Sequence, residues 1–258
     1  MTDLTLIVTA HDETVVCGPT MRSADVAVEA ARHRGYTVQP IIALDAPTEA
    51  TMAYFHQPRF DHWERRIMHE GDLGRVRNAL VPDTDGEYIA FLDADDLFSE
   101  NWLADAVATV KAGDERGEKL IAHPELNVLF DRNEMVTRNI DQDSPLFTPY
   151  YFYARNYYDS LCVAPRDAHV AVPYAGRDIA NGLSFQDFKF SIETMSRGWK
   201  HVVVKDTIIF KRRRDSSLVT ESKDRRSIVW SLPEMAIDRV RLLDGKCRSV
   251  TTDNVKQG

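Results

Sequence analysis

This 258-residue chain has three cysteines, Cys17, Cys162 and Cys247, which are odd in number, far apart and outside metal-ligand spacing. Neither a disulfide framework nor a zinc site is expected, and a reducing compartment fits best. Long apolar runs are missing too. No stretch approaches membrane-spanning length, and the N-terminus has no basic, apolar, small-residue leader pattern. Basic excess is absent: 32 Lys and Arg stand against 40 Asp and Glu, a formal net charge of -8. Non-specific nucleic-acid binding relies on a broad positive surface, so no nucleic-acid partner is expected. Walker-type, dinucleotide-fingerprint and Gly-x-Ser-x-Gly patterns, internal repeats and low-complexity tracts are also lacking. What remains has the composition of an ordinary globular protein, 43% hydrophobic and 28% charged, with length for one full core. The expected location is cytoplasmic, with peripheral association at the inner face of a membrane as an option.

The positive features centre on the stretch from Gly86 to Ser99. Tyr88 to Leu92 has the length and residue types of a strand buried on both faces, and Asp93, Asp95 and Asp96 follow as it ends. Carboxylates this close repel one another unless a cation joins them, so they suit a divalent ion with a diphosphate; they equally suit an acidic turn. Ser99 is placed to cap a helix carrying Leu103, Ala106, Val107 and Val110. Earlier, Leu4 to Ala10 reads as a strand ending in His11, Asp12 and Glu13, followed by a helix from near Pro19 to Gly35. Tyr36 to Leu44 reads as a second strand ending at Asp45, with Pro40 suggesting an edge or a bulge. Three successive strands thus end in acid.

Residues 46–70 carry no clear period, and Trp63, Arg65 and Arg66 suggest a short helix. A brief helix is expected over Leu73 to Leu80, bearing Arg75 and Arg77. Lys119 to His123 and Leu126 to Phe130 read as two strands joined at Pro124-Glu125. The aromatic segment from Phe147 to Tyr158 suits core packing better than sugar stacking. Further on, Ser160 to Ala164 suggests a strand and Phe185 to Ser196 a helix. His201 to Phe210 reads as a strand running into Lys211-Arg212-Arg213-Arg214, and a last helix is expected near Ile228 to Leu243.

In order and spacing these stretches resemble the nucleotide-sugar-dependent glycosyltransferases of family 2. The opening strand ends at His11-Asp12-Glu13, Leu44 to Thr51 is a weakened second block, and Gly74 to Asn78 leads into Gly86-Glu87-Tyr88-Ile89 and Asp93-Ala94-Asp95-Asp96. Gln186-Asp187, Gly198 and Phe210 to Ser217 match later blocks. The resemblance implies an α/β GT-A (Rossmann-like) fold with a mixed, mainly parallel sheet flanked by helices. It implies a catalytic domain over residues 1–218, with a nucleotide-sugar half to about 130 and an acceptor half beyond it, then a C-terminal helical extension over 219–258.

It also implies roles. Asp95 would hold Mn2+ or Mg2+, and Asp93, with Ala94 beside it, would contact the metal or the nucleotide ribose. Asp12 and Asp45 would read base and ribose, and His11 would stack on the base. Arg77, or Arg75 in its place, would lie near the nucleotide. Arg213 and Arg214, in the basic run, would meet the diphosphate or form a solvated patch. Asp187 would be the general base, although Ser184-Phe185-Gln186-Asp187 is also a capping-box pattern that would give its carboxylate a structural task. His123 is a minor alternative contact. The implied activity is inverting transfer from a UDP, GDP or dTDP sugar to a glycan or lipid-linked hydroxyl. A non-catalytic nucleotide-sugar or carbohydrate-binding domain and a nucleotidyltransferase remain alternatives.

Overall fold

The structure, a computed structural model, describes residues 2–214, 221–222 and 224–244. Cys247, Ser216, Ser217 and the rest of the expected extension after residue 244 lie outside the described residues. The first apolar run forms β1 (Thr2–Ala10) and the next helix is α1 (Cys17–His33). That helix ends because Gly35 takes a φ of 87°, which lets the Tyr36 amide donate back to the Ala31 carbonyl. There follow β2 (Val38–Asp45), α2 (Glu49–Phe55), β3 (Glu64–Met68), α3 (Leu73–Leu80) and β4 (Gly86–Asp93). Then come β5 (Leu97–Phe98), α4 (Trp102–Glu115), β6 (Leu120–Asp131), β7 (Met135–Arg138), β8 (Val163–Pro165), α5 (Arg166–Ala171), α6 (Gln186–Ser196) and β9 (Lys200–Arg213).

One sheet runs β3-β2-β1-β4-β8-β6-β9-β5, with β7 added on β6. The pairings β1/β2, β1/β4, β2/β3 and β6/β9 are parallel, whereas β4/β8, β5/β9, β6/β7 and β6/β8 are antiparallel. The sheet is therefore mixed, its long ladders are the parallel ones, and it curls into a half-barrel instead of lying open. Register decides where the chemistry falls. Thr9 sits opposite Asp93 and Ala10 opposite Leu44, so the ends of β1, β2 and β4 reach one edge together.

Alternation along β4 explains the layers. Tyr88, Ala90 and Leu92 join the core under α1 and α4, while Ile89 and Phe91 join a second core with Val76 and Leu80 of α3, Ala168 of α5 and Phe190 of α6. A third cluster joins Phe147, Phe152 and Tyr158 to Ile192 and Met195 of α6 and to Leu232, Val240 and Leu243. Most of the aromatic segment is thus core, although Tyr150, Tyr151 and Tyr153 remain exposed. No helix among the described residues is long and apolar enough to cross a membrane.

Several expectations give way to the packing. Lys119 to Phe130 is not two strands: β6 passes through Pro124-Glu125 with a register shift against β9, so the expected turn is a bulge. Arg65 and Arg66 lie on β3, not on a helix. Pro40 sits in an inner strand, tolerated because pairing with β3 begins only at Ile41. Ser99 does not cap α4; its hydroxyl accepts from the Ile208 amide, and Asn101 takes the cap position without a side-chain bond to the backbone amides of the first turn. Near the C-terminus, Pro233–Met235 and Val240–Leu243 are 3-10 turns, where a helix had been expected.

Candidate functional site

Loops after the aligned strand ends form one acidic rim. His11 and Asp12 are exposed beyond β1, and Glu13 is partly covered. The His11 amide donates to Glu13 Oε2 at 2.8 Å, and the His11 ring meets the Asp45 carbonyl through Nδ1 at 2.6 Å. Asp45 accepts the Glu70 amide at 2.7 Å on one carboxylate oxygen and the Gly71 amide at 3.0 Å on the other. Its charge therefore also fixes the loop after β3, which keeps the rim in place.

At the end of β4, Asp93 Oδ1 accepts from Arg77 Nη2 at 2.8 Å and from Thr9 Oγ1 at 3.2 Å. Arg77 is only 3% exposed and lies over the rings of Phe91 and Tyr174, at 5.1 and 5.4 Å. It stands beneath the rim as the counter-charge that orients Asp93. Arg75, on the other side of α3, is exposed. Ala94 is buried and donates its amide to the Thr9 carbonyl at 3.0 Å. Asp95 pairs with Arg214 Nη2 at 2.9 Å, and the same nitrogen reaches Glu13 Oε1 at 3.1 Å. Burial and the neighbouring Asp93 raise the Asp95 carboxyl above its usual range, with Arg214 opposing. Asp96 is buried, accepts the Arg212 amide at 2.8 Å and lies 3.6 Å from Lys211 Nζ. Burial pushes it up to about 7 despite that lysine. Its hydrogen bond to β9 gives it a structural role.

The basic run does not act as one patch. Lys211 is held between Asp96 and Asp159, the latter at 3.3 Å; Arg212 pairs with Asp131 at 3.0 Å and lies over Phe130; Arg214 bridges Glu13 and Asp95. Arg213, partly exposed, has no carboxylate partner among the described residues. The alternation of a strand sends successive side chains to opposite faces, which a linear reading of four basic residues conceals.

Asp187 lies in the first turn of α6. No capping box forms there: Phe185 takes the cap position with a φ of 68°, and the Ser184 hydroxyl bonds that of Ser222 at 2.8 Å. Asp187 Oδ1 accepts the adjacent Phe188 amide at 2.9 Å. Burial raises its carboxyl above the usual range, Asp159 adds to the rise, and Lys211, the Phe188 amide and Arg77 oppose it. A carboxylate held in this way is a better proton acceptor than one at an ordinary helix start. Gln186 donates to both oxygens of Asp72 at 3.3 and 3.2 Å, and Asp72 in turn caps α3 through the Arg75 amide and holds the Arg177 amide. Contact there is close enough that a Cβ on Gly74 would lie 2.6 Å from the Ala175 carbonyl oxygen. The glutamine thus locks α6 to the start of α3. Asp159, which joins Lys211 to the surroundings of Asp187, is the residue that sequence reasoning missed; a lone aspartate in an aromatic segment gives no motif.

His123 is buried, its Nε2 lies 2.8 Å from His201 Nδ1, and its ring stacks on Tyr158 at 4.1 Å. That position is interior packing and offers no acceptor contact.

Among the described residues no group of three or more His, Cys, Asp or Glu is arranged to hold a metal ion. Asp93 and Asp95 nevertheless fit an ion of the Mg2+ or Mn2+ kind, which takes one or two carboxylates and completes its shell with water and phosphate oxygens.

Comparison with known proteins bears on the fold. The model of the family described as Glycosyl transferase family 2 matches residues 6–118. No curated protein matches the chain. Among solved structures, that of S. aureus TarS is 14% identical with a TM-score of 0.61, covering 83% of this chain and 37% of that one. S. aureus TarS 1–349 in complex with UDP-GlcNAc is 15% identical with a TM-score of 0.58, covering 94% and 65%. GalNAc-T7 with UDP, GalNAc and Mn2+ is 14% identical with a TM-score of 0.57, covering 88% and 47%. The chain therefore spans less than two thirds of each of these relatives, and at such identities the likeness is one of fold.

Proposed function

Because residues 6–118 carry the family 2 glycosyltransferase sequence on a GT-A-like fold, we propose that the protein is an inverting glycosyltransferase. It would move a sugar from a nucleoside-diphosphate donor to a hydroxyl acceptor on a glycan or lipid-linked glycan of the bacterial surface type. The observation that carries this reading is the charge set linking the two halves of the site. Arg77 pairs with Asp93 and acts on Asp187, while Lys211 joins Asp96 to Asp159 and also acts on Asp187. The donor rim and the candidate base thus belong to one electrostatic unit. UDP, UDP-GlcNAc and Mn2+ in the neighbouring structures support the donor and metal classes.

In this mechanism His11, Asp12 and Asp45 bind base and ribose on the rim, and the loop fixed by Asp45 gives that rim its shape. Arg77 holds Asp93 in place through its hydrogen bond. Asp95 and Asp93 would hold Mn2+ or Mg2+, which would supply positive charge favouring departure of the diphosphate. Arg214, beside Asp95, would meet the same leaving group with its hydrogen-bonding fork, whereas strand alternation turns its neighbour Arg213 the other way. Asp187 takes the proton of the acceptor hydroxyl as its oxygen bonds to the anomeric carbon. The bond from that carbon to the diphosphate oxygen breaks, and the nucleoside diphosphate leaves with the electron pair. One displacement inverts the anomeric centre.

A panel of UDP, GDP and dTDP sugars, assayed for metal-dependent hydrolysis and transfer, tests the proposal. Turnover with one class is the expected result. Binding without turnover on any acceptor would favour a nucleotide-sugar-binding module, and release of pyrophosphate would favour a nucleotidyltransferase.

A further inference from the structure

Arg214 binds two carboxylates that are remote in sequence, Glu13 beyond β1 and Asp95 beyond β4, through a single nitrogen. One of the two is the oxygen donor assigned above to a divalent ion. A guanidinium and a bare cation compete for that carboxylate, and the guanidinium is tethered to it by the strand that precedes it. Arg214 is also incompletely used: its Nε is buried and has no hydrogen-bond acceptor among the described residues. A diphosphate would change both terms. It brings oxygens that chelate a metal together with Asp95, and it offers Arg214 a two-pronged acceptor that its present partners do not provide.

Resting on the nucleotide-sugar reading of the site, we propose that Arg214 is the resident counter-ion of the donor site, holding Asp95 against Glu13 so that the divalent cation binds together with the nucleoside diphosphate and not ahead of it. The chain thereby avoids an empty rim of like charges and also avoids loading metal without substrate. Glu13 is the anchor that keeps Arg214 in place between turnovers.

Mn2+ binding to the full chain, followed by electron paramagnetic resonance without nucleotide at neutral pH, is the test. The unmodified protein should bind Mn2+ weakly. Arg214→Ala should bind it about tenfold more tightly, because the competitor is gone. Arg214→Lys, which keeps the charge, should stay close to the unmodified protein, and thermal melting of each variant checks folding. In a second arm with UDP, GDP or dTDP present, Arg214→Ala should lose about tenfold in nucleotide affinity. Unchanged or weaker Mn2+ binding by Arg214→Ala would overturn the proposal, as would equal tightening by Arg214→Lys. The metal-only arm needs no nucleotide, so a protein that bound none would refute the donor reading separately.

Discussion

Replacing Arg77 with methionine keeps aliphatic bulk beneath the rim but removes the one cation among the described residues that pairs with Asp93, at 2.8 Å. Breaking a buried pair costs about 3–5 kcal/mol because one charge is left uncompensated. Asp93 is 27% exposed on its side chain, so water relieves part of that loss and the lower end applies. Loss of the arginine stacking on Phe91 and Tyr174 adds about 1 kcal/mol. The expected total is about 3–4 kcal/mol, or a melting temperature lower by roughly 10 °C for a chain of this size. Urea unfolding followed by circular dichroism measures it. Adding Asp93→Asn should recover about 2 kcal/mol relative to the sum of the single changes, since neither charge is then left alone. A loss below about 1 kcal/mol for Arg77→Met, or strict additivity in the double variant, would refute the assignment of Arg77 as the counter-charge of Asp93.

Asp187→Asn should lower transfer by about 10²–10⁴-fold while leaving donor affinity in place, as steady-state kinetics beside calorimetry will show; near-normal transfer would remove its role as base. Gln186→Glu would set a carboxylate against Asp72 where two hydrogen bonds now stand, and should cost about 1–3 kcal/mol in chemical unfolding, with no change marking the bridge as unimportant. His169 packs among Phe91, Tyr174 and Phe190 with both ring nitrogens buried and without a partner among the described residues, and burial, with some help from Arg77, pushes it down to about 3. Between about 6.5 and that value the unfolded chain takes a proton that the folded chain refuses, so stability falls as pH falls. His169→Phe should flatten that slope by up to about 1.4 kcal/mol per pH unit, and an unaltered slope would show the imidazole to be solvated.

The acidic rim was legible because it is local: an apolar run followed by acids encodes β4 and its end, and the spacing from Gly74 to Asn78 places α3 before it. Register then adds what no short motif contains, since it is the β1/β4 and β1/β2 alignment that gathers residues from three strand ends at one edge. Misreadings arose where tertiary packing outweighed a local signal. Pro124-Glu125 has turn chemistry, yet β9 pairs with β6 on both sides of it. Ser184 has capping chemistry, but Ser222 takes its hydroxyl, which frees Asp187 from the structural role its spacing suggested. Asp159 gains its importance only from Lys211, which is far away along the chain but 3.3 Å distant in space. Gln186 donates to both oxygens of Asp72, a contact between α6 and α3 that no local pattern announces.

The most direct measurement of the central claim is calorimetry of the full chain with UDP, GDP and dTDP, each with Mn2+, beside the same titrations of Asp95→Asn. One nucleotide should bind the unmodified protein in a metal-dependent manner, and Asp95→Asn should lose that dependence. Absence of affinity for all three, or equal metal-dependent binding by the variant, would contradict a donor site at the end of β4.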